Sequence, residues 1–306
     1  MSHSLSHLCY LQTLPPISHK ATFNGRQNPP LNERRRKLYV TCGRGNNRAS
    51  TPTKDDYHAT LKALNSKGRI PRKSLGQNYM LNSDINEQLV GVAGVEEGDV
   101  VLEIGPGTGS LTNTLINSGA FVLAVEKDKH MAALVSERFS STGKFKVLNE
   151  DIVKCHVRAH ISSLVGSTKE IYSDTRKSKV VANIPFYIST DVIKLLLPMG
   201  DIFSEVVLLL QEETALRLVE PSLRTPEYRP INIFVNYYSD PEYKFKVART
   251  NFFPEPNVDA AVVSFKLKQP SEYPQVSSSK SFFAMSRPEE LTMNDFVKLH
   301  NIITKE

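Results

Sequence analysis

Cysteine is scarce in this chain. Cys9, Cys42 and Cys155 are all there is, too few and too scattered for a disulfide framework or a zinc site, and the scarcity fits a reducing compartment. Long apolar runs are missing too: none approaches the ~20 residues that a membrane-spanning helix needs. Acids are nearly absent from the first fifty or so residues, where Glu33 stands alone among Ser, Thr, Asn, Pro, His and Arg. The same stretch lacks the apolar core of a secretory signal. An acid-poor, Ser- and Arg-containing start is the composition of an organelle transit peptide. A disordered RNA-binding arm, a nuclear signal around Arg34-Arg35-Arg36-Lys37 and a plain tail are the alternatives. Ser and Thr with few amphipathic repeats favour a chloroplast over a mitochondrion. No internal repeat is visible.

What is present is ordinary globular protein. Of 306 residues, 40% are hydrophobic and 23% charged, and the net charge of +6 makes an acidic partner such as nucleic acid plausible. We divide the chain into a leader (1–54), a main domain (55–268) and a linker with a helical tail (269–306). In the main domain, Asp55 to about Arg72 reads as an amphipathic helix and 72–80 as a loop. Ser83–Ala93 reads as a helix capped by Ser83 or Asn82. Strands are expected at Val100–Ile104, Phe121–Glu126, Phe145–Leu148, Val180–Ile184 and Val206–Gln211. Helices are expected at Leu111–Ser118, Asp128–Phe139, Thr190–Leu197 and Glu212–Val219. This alternation predicts βαβ units and a parallel sheet, an α/β fold of Rossmann-like type. Gly166–Ser178 reads as a polar surface excursion. Ile231–Tyr238 and Val258–Lys268 read as an antiparallel pair closing the sheet. In the tail, only Leu291–Ile303 has an amphipathic pattern.

The chemistry gathers at the carboxyl ends of the strands. "VLEIGPGTGSLT" (101–112) is a strand, a glycine-rich turn and a helix start, where the backbone can approach a ligand and the helix N-terminus favours negative charge. The second strand ends in Glu126, about 20 residues on, as expected of an acid binding ribose hydroxyls. The third ends in Asn149-Glu150-Asp151. Three such ends favour a nucleoside cofactor, and NAD and S-adenosylmethionine both suit them. The fourth, "NIPF" (183–186), separates the two. An adenine's exocyclic amine is a poor nucleophile because its lone pair is delocalised into the ring. The Asn183 amide oxygen and the Ile184 carbonyl, both accepting from that amine, would hold it and favour a pyramidal nitrogen. Pro185 fixes the turn by locking φ, and Phe186 offers a flat face to a flipped-out base.

These segments, taken with "RKSLGQNYM", "AVEKD", "NEDIV", "NIPFYIST" and "NFFPEPNVDAAVV" in this order over about 70–268, resemble the ribosomal small-subunit adenine N6,N6-dimethyltransferases, and the stretch "KLLLPMGDIFSEVVLLLQEETALRLV", with the leader, resembles their plastid branch most. The resemblance implies an S-adenosylmethionine-dependent enzyme, acting as a monomer with no metal. Its substrate would be two adjacent adenines near the 3′ end of small-subunit rRNA, its partner the immature small ribosomal subunit. It implies that Asn78 and Met80 border the cofactor, and that Gly105 and Gly107 bring backbone against its methionine part. Glu126 would bind the ribose, and Asp151 would accept from the cofactor's adenine amine. Asn183 would touch cofactor and target alike. Phe186 and Phe252 would flank the target base, unless Phe252 is core and Phe253 the exposed ring. Tyr187 stands where the family usually has Asn.

The resemblance also implies a loss. "SKSFFAM" meets "SRPEELTMNDFVKLHNIITKE" directly at about Met285/Ser286, where the family has several tens of residues beginning with a basic helix. The expected fold is therefore a methyltransferase domain with a reduced C-terminal helical tail. Cys155, His156 and His160 lack a fourth metal ligand, and surface placement is the simpler reading. Arg217, Arg224 and Arg229 with Tyr228 suit RNA phosphates and a solvated face equally.

Overall fold

The computed structural model describes residues 71–72, 75–169, 178–219 and 230–273. The leader, the expected helix up to Arg72, Arg224, Tyr228, Arg229, and the tail with Leu291–Ile303 lie outside the described residues, except for Pro71 and Arg72.

The chain runs β1 (Tyr79–Met80), α1 (Ser83–Val92), β2 (Val100–Ile104), α2 (Ser110–Asn117), β3 (Phe121–Val125), α3 (Lys129–Arg138), β4 (Phe145–Leu148) and α4 (Val157–Lys169). It continues through β5 (Ser178–Asn183), α5 (Ser189–Leu196), β6 (Phe203–Gln211), α6 (Glu212–Val219), α7 (Pro230–Tyr238), β7 (Ser239–Val247), β8 (Phe252–Phe253) and β9 (Ala260–Leu267). Seven strands form one sheet in the order β4-β3-β2-β5-β6-β9-β7. The first five of these are parallel, and β9 and β7 close the edge antiparallel.

Alternation along the strands splits the core in two. Leu102, Ile104, Val180 and Ala182 face α4 and α5, while Val101 and Val181 face Leu89 of α1 and Leu115 of α2. With both faces covered, β2 has no exposed residue. The Asn82 amide oxygen accepts from the Asp84 N–H and starts α1; Asp128 does the same for His130 at α3.

Two expectations fail. Ile231–Tyr238 is helix, not strand, and the partner of β9 is β7. Its β-branched and aromatic residues have strand composition, but Ile231, Val235 and Tyr238 recur at helical spacing against the core, and packing decides. β7 carries Pro241 and three ion-paired lysine or acidic residues, Glu242, Lys244 and Lys246, as an edge strand tolerates. The helix α4 was not anticipated either, and its last residues occupy the start of the expected excursion. Val157 and Ile161 are buried one turn apart and overcome a Ser- and Gly-containing sequence of poor helix propensity.

Candidate active site

The strand order reverses between β2 and β5, and a ligand cleft is expected outside the carboxyl ends of that pair. Register places the residues. Leu102 pairs with Val180, Ile104 with Val125 and Val125 with Leu148. Three residues beyond Leu102 and Val180, and one beyond Ile104, Val125 and Leu148, the same register sets Asn183, Gly105, Glu126 and Asn149 side by side. The Gly105 N–H donates to the Val125 carbonyl and the Glu126 N–H to the Leu148 carbonyl, so the ends of β2, β3 and β4 are bonded together.

A cleft of about 330 Å³ opens on this row. It is lined by all of the residues expected there: Asn78 and Met80 from the N-terminal loop, Gly105 and Gly107, Glu126, Asp151, Asn183 to Phe186, and Phe252. The loop is fastened over it at both ends. Gln77 donates to Asp128, the residue capping α3, and β1 pairs with β8, Met80 opposite Phe252. The Asn82 amide donates to the Asn251 side chain and the Leu81 N–H to the Asn251 carbonyl.

All three glycines of the turn have left-handed φ, +67° at Gly105, +56° at Gly107 and +82° at Gly109. A Cβ on Gly107 would meet the Tyr79 ring at 3.0 Å, so this glycine is fixed by the protein's own packing. A Cβ on Gly105 would approach only the Asn183 carbonyl oxygen, at 4.0 Å, and otherwise point into the cleft. Gly105→Ala should therefore cost about 1–2 kcal/mol of backbone strain, leaving the fold intact. Its larger effect should be on the ligand: we expect calorimetric titration to show cofactor affinity more than about tenfold weaker.

Glu126 is 7% exposed. Its Oε1 accepts from the Asp128 N–H at 2.8 Å and its Oε2 from the Gly107 N–H at 3.4 Å. The carboxylate thus ties the end of β3 to the glycine turn and keeps lone pairs for hydroxyl donors. Burial pushes its pKa up, against those backbone donors. Asp151 behaves oppositely: Lys127 Nζ at 2.9 Å pulls its pKa down, so it stays an acceptor. The Asn149 amide donates to the Glu126 carbonyl and braces the ends of β3 and β4.

The Asn183 side chain has a defined polarity. Its Nδ2 donates to the Asn78 carbonyl at 3.3 Å, which turns Oδ1 away as the acceptor. Ile184 is 2% exposed and anchors the strand end in the core. Pro185 has φ −56° and starts a 3₁₀ turn, Phe186–Ile188. That turn bonds through the Pro185 and Phe186 carbonyls, accepting from the Ile188 N–H and the Ser189 hydroxyl. Phe186 is half-buried against the core. Phe252 is 3% exposed and forms the cleft floor, so Phe186 presents the more accessible ring. Phe253 is packed on Tyr79 and Met131, outside the cleft lining.

Sequence reasoning missed Glu103. It lines the cleft, is 1% exposed, and accepts from the Thr112 hydroxyl at 2.6 Å. A lone acid inside the apolar strand "VVLEI" was its signal. Burial pushes its carboxyl up to about 8 from an ordinary 4.5. Between those values the folded cofactor-free state binds the proton and the unfolded state does not, so stability falls as pH rises from 4.5 to 8 and this contribution levels off above. Glu103→Gln should remove a few kcal/mol of that decline, read as denaturation midpoints at pH 5 and pH 8. A decline undiminished in the variant would assign it to other groups.

Comparison with known proteins now bears on this geometry. Residues 69–287 match the family described as ribosomal RNA adenine dimethylase. The chain belongs to the ribosomal RNA adenine dimethylase family. A chloroplastic ribosomal RNA small subunit methyltransferase of Arabidopsis thaliana is 59% identical over 310 positions, covering 89% of this chain and 88% of that protein. A ribosomal RNA small subunit methyltransferase A of Protochlamydia amoebophila is 34% identical over 224 positions, covering 73% and 75%. Among solved structures, a dimethyladenosine transferase from Plasmodium falciparum superposes with a TM-score of 0.51 at 26% identity, over 61% of this chain and 62% of that one. The fold is thus that of the dimethylase family, and the row of strand ends falls within its matched span.

Proposed function

We propose that this chain transfers methyl groups from S-adenosylmethionine to N6 of two adjacent adenines near the 3′ end of the small-subunit rRNA, within a chloroplast. The observation that carries the reading is the row Asn183, Gly105, Glu126, Asn149 at one sheet edge, with Phe186 beside it and Asn183 Oδ1 turned outward.

The residues fit the cofactor. A buried carboxylate with unused lone pairs stands at the place for ribose hydroxyls, an ionised Asp151 at the place for the adenine amine, and a glycine without Cβ at the place of closest approach. When bound, the cofactor supplies a methyl group already activated on a sulfonium centre. The protein's part is to place a nitrogen in line with it, which requires orientation more than proton transfer. Asn183 Oδ1 and the Ile184 carbonyl accept from the target amine, and Phe186 stacks the base. After one transfer a single N–H remains, so the same two acceptors must tolerate losing one hydrogen bond and admit a methyl.

The relatives named above are methyltransferases of ribosomal RNA, one of them chloroplastic, and an acid-poor leader supports delivery to that organelle. The Arabidopsis alignment contains unmatched positions that a loss near Met285 would account for. It takes up 89% of 306 residues, about 272, so about 38 of its 310 positions have no counterpart in this chain. The test is to incubate the protein with labelled S-adenosylmethionine and small subunits lacking the modification, beside a version carrying the relative's extra segment. Label on paired adenines is the expected result. Subunit binding without transfer would favour a non-catalytic assembly factor, and transfer only to free small molecules would overturn the proposal.

A further inference from the structure

The fold resolves the unassigned group Cys155, His156 and His160 by adding a residue and dropping one. Glu150, at the end of β4, comes together with Cys155, in the turn before α4, and His160, in the first turn of α4. One ligand atom from each lies within 4.8 Å of the other two. His160 Nε2 is 3.8 Å from Glu150 Oε1, and the Cys155 thiol donates to the Glu150 carboxylate. His156 is exposed and outside the group.

A thiol, an imidazole and a carboxylate converging on one point have no packing purpose in common, but they share a ligand preference. Calcium and magnesium take oxygen donors. A sulfur, nitrogen and oxygen set of three, with one position open, is the pattern of a four-coordinate borderline ion. Bonds of about 2.0–2.3 Å would bring the ligand atoms to about 3.5 Å from one another. The ligand atoms already lie within 4.8 Å of one another, so closing takes a shift of roughly 1 Å, and the His160 and Glu150 side chains, 33% and 42% exposed, have room to make it. Cys155 is held from below at 7% exposure, and His160 at 33% leaves an approach from solvent.

We propose that Glu150, Cys155 and His160 form a binding site for a zinc-class divalent cation, with water in the fourth position. As the sulfur–metal bond forms, the thiol proton passes to solvent. The ion ties the end of β4 to α4 across the loop that carries Asp151, the next residue after Glu150. Its role is to hold that loop, and no step of methyl transfer runs through it.

The test uses the full chain with Cys9→Ser and Cys42→Ser, so that Cys155 is the one thiol left. After chelator treatment and dialysis, cobalt(II) is added as a reporter of thiolate ligation, then zinc. The expected result is a sulfur-to-cobalt charge-transfer band that saturates at one equivalent and is bleached by zinc. Zinc at about a hundred times its Kd should raise the melting temperature by about 5 °C. His160→Gln, which keeps the thiol and lies at the surface, should weaken zinc at least about 100-fold, and Cys155→Ser should abolish the band. No charge-transfer band, or a band and affinity unchanged in His160→Gln, overturns the site.

Discussion

Asn183→Ala should lower methyl transfer by about 10²–10³-fold while leaving affinity for the small subunit nearly unchanged. The reason lies in where the amide is held. Its Nδ2 is committed to the Asn78 carbonyl, so Oδ1 is a fixed acceptor. A water molecule in its place would have to be ordered anew for each encounter, and a preorganised acceptor of this kind acts mainly on the transition state. RNA affinity rests mainly on basic side chains against phosphates, and the Asn183 amide carries no charge. Asn183→Asp should not restore turnover: it keeps an acceptor but sets a carboxylate against the Asn78 carbonyl oxygen. Single-turnover rates with saturating cofactor, set beside subunit binding by filtration, separate the two effects. Equal losses in rate and in binding would mean that the residue only shapes the surface.

Glu126→Ala should weaken the cofactor by about 10²–10³-fold, the second large effect. Hydrogen bonds to a charged acceptor are worth about 1.5–3 kcal/mol each, and in the proposed reading this carboxylate takes two hydroxyls. Part of the loss has another origin, because the same side chain accepts from the Gly107 N–H and steadies the turn. A deoxyribose analogue of the cofactor distinguishes the contributions. In the wild type it should bind at least about tenfold more weakly than the parent; in Glu126→Ala the two should bind alike. An analogue penalty that survives the substitution would place the ribose elsewhere. Glutamine at this position keeps the shape but donates at one end, and should recover only part of the affinity.

β2, β3 and β5 were legible because parallel strands buried on both faces read as short apolar runs, and the half-buried edge strand β4 because it is short and largely apolar; they end on residues of another kind, Gly105, Glu126, Asn183 and Asn149. The helix α6 matched its expected bounds, since Glu212 and Glu213 at its start and Arg217 at its end agree with the helix dipole. α4 and α7 were hidden for one reason. Their residues favour strand or turn locally, and only the packing of Val157, Ile161 and Val235 against the sheet makes them helical. Within the site, the residues proposed to touch a ligand were legible by type or backbone freedom, and they line the cleft. Glu103 was not, because one acid in an apolar run says nothing about which face it takes. Glu150 was taken for part of a generic acidic strand end; that it meets Cys155 and His160 depends on where α4 turns back. Phe252 shows the remaining gap, since both rings of "NFF" are aromatic and only the pairing of β1 with β8 decides that the first lines the cleft.

Tyr187 has gained a setting. It is 60% exposed at the cleft, and a Cβ on Gly76 would lie 3.1 Å from its ring. The loop glycine and this tyrosine are therefore matched in size. No described contact explains what the exchange from the family's usual Asn does for the reaction.

The most direct test is a structure of the protein with an S-adenosylmethionine analogue and a short adenosine-containing RNA. The target N6 should lie at about 2.9 Å from both Asn183 Oδ1 and the Ile184 carbonyl oxygen, with its ring against Phe186 and the transferable group in line. An adenine bound away from Asn183, or a corner filled by Phe186 and Tyr187 so that no purine enters, would contradict the account.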